Sequence, residues 1–119
     1  MSTIQSLVDA RAPRELQTIG PDETVFAAVT RMVEHNIGAM IVIEDKTIKG
    51  IMTERDYLRL VTEQGRTARD TPVSHLMTHR LIYITPEITV EEAMAIMTEQ
   101  HIRHLPVMTE GRLVDIVSI

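Results

Sequence analysis

The period of apolar and polar positions changes several times along the chain, and each change marks an element. Over 24–34, Val25, Ala28, Val29, Met32 and Val33 recur at helical spacing with Asp22 and Thr24 as caps, which predicts an amphipathic helix. The run 38–43 is continuously apolar and rich in β-branched residues, the pattern of a strand buried on both faces, as in parallel pairing. A polar turn at Glu44, Asp45 and Lys46 precedes a second strand over 47–52. Residues 54–64 read as a helix with Gly65 as its stop. Shorter signals predict a helix over 4–10, a connector containing Pro13, and a strand over 16–19 before Pro21. After a polar connector at 66–71 and Pro72, the order recurs. A strand is expected over 81–84, then a helix opened by Thr89 with Glu92 in a capping box. Val90, Ala93, Met94 and Met97 supply its inner face, and paired strands at 105–108 and 112–117 turn at Glu110-Gly111.

The recurrence extends to single residues. Shifted by 65 places, 19–54 falls on 84–119 without a gap, and ten of the 36 positions are identical, among them Pro21/Pro86, Thr24/Thr89, Ala28/Ala93 and Ile51/Ile116. A duplication of this kind sets the architecture. It predicts two similar halves about a pseudo-twofold axis, with ligands between them. The halves are assigned to 1–70, including the N-terminal helix, and 71–119. The second copy reaches Ile119 before any counterpart of the 54–64 helix. Either the chain is a piece of a longer one, or another chain covers the apolar surface left open. The expected class is α/β (α+β), two β-α-β-β-α repeats with sheets packed together and helices outside.

Composition narrows the picture. Halves of about 55 residues bury little surface alone, so a shared core is expected. With 44% apolar but only 3% aromatic residues, that core must be filled by Ile, Val, Leu, Met and Ala. Cysteine is absent, which excludes disulfides and thiolate metal sites. A net charge of −5 argues against a broad nucleic-acid footprint. No apolar run is long enough to span a bilayer and the N-terminus has no signal-peptide pattern, so a soluble cytoplasmic protein without membrane partners is expected.

The sharpest local motif is Gly50-Ile51-Met52-Thr53-Glu54-Arg55-Asp56, a strand running straight into a helix. Backbone N–H groups at a helix start attract anions, and a threonine hydroxyl there can add a hydrogen bond to phosphate. A carboxylate one turn later suits the paired hydroxyls of a ribose. Thr53 with Asp56 is equally a capping pair, and the two roles are compatible. The second cluster is Arg103-His104-Leu105-Pro106-Val107, where Arg and His can hold phosphate. Its alternative is a solvated basic loop with Pro106 ending the helix. In the first copy Gly38 and Ala39 stand in place of Arg103 and His104, so one half offers room and the other charge. His75 with His79, and His101 with His104, have ligand-like spacing, but no carboxylate cluster or cysteine completes a metal set and none is required. No nucleophile-elbow serine, P-loop or zinc-protease motif is present.

With these motifs the sequence resembles a cystathionine-β-synthase (CBS) domain pair, or Bateman module. The resemblance rests on the paired Ile-x-Pro-x-x-Thr-Val helix openings, on NIGAMIVIEDKTIKGIMTERD and on HIRHLPVMTEGRLVDIVSI. It implies clefts on either side of the axis that take AMP, ADP, ATP, S-adenosylmethionine or NAD(H). Carried over, Asp56 holds ribose hydroxyls, Thr53 and Arg55 the phosphate, and Arg103 and His104 the phosphate from across the axis. Ile19, Gly38, Ala39 and Met40 form the adenine slot. The second copy has Ser118 for Thr53, Asp115 for Gly50 and no counterpart of Asp56, so its cleft is expected to bind ribose poorly. The resemblance also implies a homodimer built through the helices.

The function expected is an adenine-nucleotide-binding regulatory module that modulates a downstream protein. The alternative is a structural dimerisation module without a ligand, resting on Met32, Val33, Met94 and Met97. An enzyme acting on nucleotides lacks any general base or metal set in the sequence.

Overall fold

The computed structural model describes residues 2–63 and 65–118. They divide into two compact units, one formed by Gln17–Leu81 and the other by the stretches ending at Leu16 and beginning at Ile82.

In the first of these, the apolar run becomes the central strand β2 (Ala39–Glu44), parallel to the short β1 (Thr18–Ile19) and antiparallel to β3 (Thr47–Thr53). Its first four residues are buried, as a strand flanked on both edges requires. Alternation then sorts the side chains. Met40, Val42 and Met52 enter a core with Val25, Ala28 and Met32 of α2 (Val25–His35) and Leu60 of α3 (Glu54–Thr62). Ala39, Ile41, Ile51 and Thr53 lie on the opposite face of the sheet, Ala39 across from Thr53 and Ile41 across from Ile51. Val33, placed by its spacing on the inner stripe, is 76% exposed. Successive helical residues are ~100° apart, so the neighbour of buried Met32 turns outward.

The other unit repeats the plan with α4 (Val90–Gln100), β4 (His104–Thr109) and β5 (Arg112–Ser118). Its core holds Ala93, Met97, Leu105, Val107 and Val117, while Met94 is 47% exposed rather than on the inner face. The strand expected over 81–84 shrinks to a single parallel bridge from Ile84 to Val107. Pro106 stands where the first copy has Ile41, and without an N–H it cannot extend the ladder. Nor does Pro106 end the helix. It sits within β4 and its carbonyl accepts from the Ile84 N–H at 2.9 Å. The helices stop instead at left-handed caps, Asn36 and His101, which are equivalent under the 65-place shift.

The assignment of flanking segments differs from the sequence expectation. Helix α1 (Ile4–Asp9), assigned to the first half, docks on the second repeat, and 71–81, assigned to the second half, packs with the first. The two arms dock identically. The Ile4 N–H donates to the Ile88 carbonyl and the Val73 N–H to the Glu23 carbonyl. Gln5 and Ser74 donate to Pro86 and Pro21, and in return Val90 and Val25 donate to the carbonyls of Ser2 and Thr71. The last pair satisfies the first N–H of each long helix, which has no partner inside the helix. Each arm also adds apolar volume. Ile4 joins the core of the second repeat; Val73, in a 3₁₀ turn over Val73–His75, joins that of the first with Leu76. Each unit thus has a core cluster of its own that is completed by an arm. Among the described residues no helix is long and apolar enough to cross a membrane.

Candidate functional site

Thr53 is both the last residue of β3 and the N-cap of α3, with extended backbone angles (φ −123°, ψ 167°). Its hydroxyl accepts from the Asp56 N–H at 3.3 Å, and Asp56 Oδ2 accepts from the Thr53 N–H at 2.9 Å. This is the reciprocal capping box. The Thr53 hydroxyl lies 3.1 Å from the same Oδ2 and donates to it. The Glu54 N–H is taken by the Gly38 carbonyl at 3.0 Å. The Thr53, Glu54 and Asp56 N–H groups at this helix start are thus engaged inside the protein, which makes its backbone a weaker anion trap than an uncapped end would be.

Asp56 is only 2% exposed, unusual for a carboxylate unless it is fully matched by donors. The other oxygen, Oδ1, accepts from the Thr78 hydroxyl at 3.1 Å and from the Arg59 guanidinium, with which Asp56 forms an ion pair. A carboxylate offers about four acceptor directions, and Thr53 N–H, Thr53 hydroxyl, Thr78 and Arg59 account for that number. Among the described residues no buried side-chain nitrogen or oxygen lacks a partner. Arg59 and Thr78 were not among the residues expected at the site. Arg59 was findable, three places after Asp56 on the same helix face. Thr78, 22 positions away, carried no local signal.

Thr78 reaches Asp56 because its backbone is pinned to β3. Ile51 and Thr78 exchange two backbone hydrogen bonds of 3.0 and 2.8 Å. Gly50 permits this approach, since a Cβ there would lie 2.4 Å from the Thr78 carbonyl oxygen.

The sequence-predicted residues of the first half do gather. Gly38 immediately precedes β2, which Ala39 and Met40 open opposite Thr53 and Met52, and Arg55 is exposed on the first turn of α3. Ile19, on β1, pairs with Val42. The side chains of Ile19 and Met40 are spent in the hydrophobic core, so only their backbone is available to a ligand, whereas Gly38 is half-buried. In the second unit Arg103 is exposed, and His104 begins β4 opposite Ser118. Among the described residues no three His, Cys, Asp or Glu side chains gather as a metal site.

The sequence profile of the CBS domain matches twice, over residues 12–63 and 73–119. The chain belongs to the CBS domain family. It is 45% identical over 103 residues to the mitochondrial CBS domain-containing protein CBSX3 of Arabidopsis thaliana, covering 82% of this chain and 50% of that one, so it spans about half that relative's length. The structure of a protein with CBS domains from Burkholderia ambifaria superposes with a TM-score of 0.94 at 37% identity, covering 98% of this chain and 88% of the other. That of CBSX2 in complex with AMP superposes with a TM-score of 0.77 at 26% identity, over 99% and 90% of the two chains.

The two CBS repeats diverge where chemistry would reside. His104 takes the place of Ala39 and Ser118 that of Thr53, each pair facing across its two strands on the side away from the core. Asp115 replaces Gly50. Its carboxylate, 8% exposed, is held by Arg11 at 3.2 Å and Arg14 at 2.8 Å, and both guanidinium groups also donate to the Ile116 carbonyl. To the backbone bonds that both arms share, the first repeat adds the Ile51–Thr78 bridge and the second adds two arginines.

Proposed function

We propose that this CBS pair is a regulatory module that binds an adenine nucleotide (AMP, ADP, ATP or NAD(H)) and modulates a partner protein, without catalysis of its own. The observation that supports it most is the buried Asp56 carboxylate beside Thr53 at the strand-to-helix junction, in a family one of whose members is seen with AMP. Asp56 takes the two ribose hydroxyls. Thr53 and Arg55 contact phosphate, as do Arg103 and His104. Gly38 and Ala39, with the backbone of Ile19 and Met40, line the adenine. No metal is required. A ligand of this kind transmits only the difference in its affinity for two arrangements of the protein, so regulation requires that binding change a packing equilibrium.

Titration calorimetry with AMP, ATP and NADH on wild type, Asp56→Asn and Asp56→Ala tests the proposal. Wild type binds, and both variants lose at least about tenfold, the scale of one charge-assisted hydrogen bond. Circular dichroism separates loss of the site from loss of the fold. Equal binding by wild type and Asp56→Asn removes the site. A second reading, assembly into a homodimer without a ligand, is favoured by the exposed Val33, Leu58 and Val61 on α2 and α3. Absence of binding by all three nucleotides, with a dimeric mass by light scattering, selects it.

A further inference from the structure

We infer that Arg59 and Thr78 form a gate over Asp56, occupying the carboxylate oxygen that a vicinal diol must take. This inference rests on the nucleotide reading and adds a regulatory step to it. A ribose presenting two hydroxyl donors needs two acceptor directions, and the four available are filled in the structure. The occupants are not equally removable. On Oδ2 the Thr53 N–H completes the capping box of α3, so displacing it undoes the helix start, and the Thr53 hydroxyl that donates to the same oxygen is held beside it by accepting the Asp56 N–H. On Oδ1 the partners can leave. Arg59 has a side chain 60% exposed and can swing into water at little cost. Thr78 is anchored through its backbone to Ile51, so its hydroxyl alone can rotate away while the bridge stays intact.

Entry of a diol is therefore an exchange at Oδ1, in which two ribose hydroxyls replace a guanidinium and a threonine hydroxyl. The exchange has a structural consequence, because it cuts the side-chain tie between α3 and the arm that contains Thr78. The gate makes occupied and empty states differ at the arm, the feature a regulatory module requires. It also favours ligands with both hydroxyls present, since an analogue lacking them gains nothing by opening it.

The test compares AMP with 2′,3′-dideoxy-AMP on wild type, Arg59→Gln and Thr78→Val by titration calorimetry. The ratio of the two affinities isolates the diol, because any contact of Arg59 with the phosphate or the base cancels. Arg59→Gln raises the AMP preference about 2–5-fold, the value of a largely exposed ion pair, and Thr78→Val moves it in the same direction. An unchanged or reduced ratio in Arg59→Gln overturns the gate while leaving the nucleotide reading intact. Equal affinity of wild type for the two ligands overturns the ribose role of Asp56 and the gate with it. Failure of wild type to bind either one removes the nucleotide reading itself.

Discussion

Gly50→Ala probes how the arm after the first repeat is held. Gly50 is not in the left-handed backbone region, so the cost of a methyl group there is steric rather than conformational. The added Cβ would sit 2.4 Å from the Thr78 carbonyl oxygen and 3.3 Å from the Met77 sulfur. Met77 can yield, but the carbonyl is fixed by the backbone pair with Ile51 at 3.0 and 2.8 Å. Restoring ordinary contact requires a retreat of about 1 Å, which breaks or severely bends both bonds. At ~0.5–1.5 kcal/mol net for each, the loss is ~1–3 kcal/mol. Replacing glycine also restricts the unfolded chain and returns ~0.4–1 kcal/mol. The net destabilisation is about 1–2 kcal/mol, which lowers Tm by about 4–8 °C for a chain of this size. Urea unfolding gives the free energy, and amide exchange at Ile51 and Thr78 locates it. Gly20→Ala is the control, since its Cβ would meet Glu23 no closer than 3.5 Å. If Gly50→Ala unfolds at the wild-type midpoint with Ile51 and Thr78 equally protected, the close approach of the arm is wrong.

Two further predictions address the other repeat. Asp115→Ala removes the partner of Arg11 and Arg14, whose side chains are 30% and 43% exposed and can turn to water. The cost is therefore only about 1–2 kcal/mol, and limited trypsin digestion at Arg11 and Arg14 should become faster; unaltered cleavage would show that the ion pairs do not hold the arm. Ile4→Ala, at a position 1% exposed in the second core, is expected to cost about 2–3 kcal/mol, the lower part of the range for such truncations because a six-residue helix can detach rather than leave a cavity. Leu7→Ala, 37% exposed on the same helix, should be near neutral in the same urea experiment, and equal effects of the two would refute the docking of α1.

The bodies of the two repeats were legible because their signals are side-chain signals. A β-branched run over 38–43, threonine at two helix openings and a stripe at Val25, Ala28 and Met32 each follow from what those residues bury or cap. The errors arose where geometry depends on a neighbour. Val33 and Met94 satisfy an apolar spacing rule but lie to one side of a stripe only about one residue wide per turn. The 81–84 strand failed because its pairing depends on the N–H that Pro106 lacks. That condition becomes visible only once the partner strand is known.

The candidate site shows the same division. The Thr53–Asp56 pair was visible in seven consecutive residues, and Arg59 follows from helical spacing. The arms were invisible, and the reason is physical. The arms correspond at a shift of 69, Ile4 with Val73, whereas the carbonyls that they bond, Glu23 and Ile88, correspond at 65. Ser2-Thr3-Ile4-Gln5 and Thr71-Pro72-Val73-Ser74 share no residue, yet they make the same three backbone hydrogen bonds. A main-chain donor or acceptor is present at almost any residue, so such docking imposes little on sequence beyond one buried branched side chain per arm. The arm following the first repeat nevertheless brings Thr78 to Asp56. A carboxylate that looked in sequence like an open ribose ligand is for this reason a closed four-donor site in the folded chain, and the residue that closes it was supplied by backbone pairing that no side-chain pattern records.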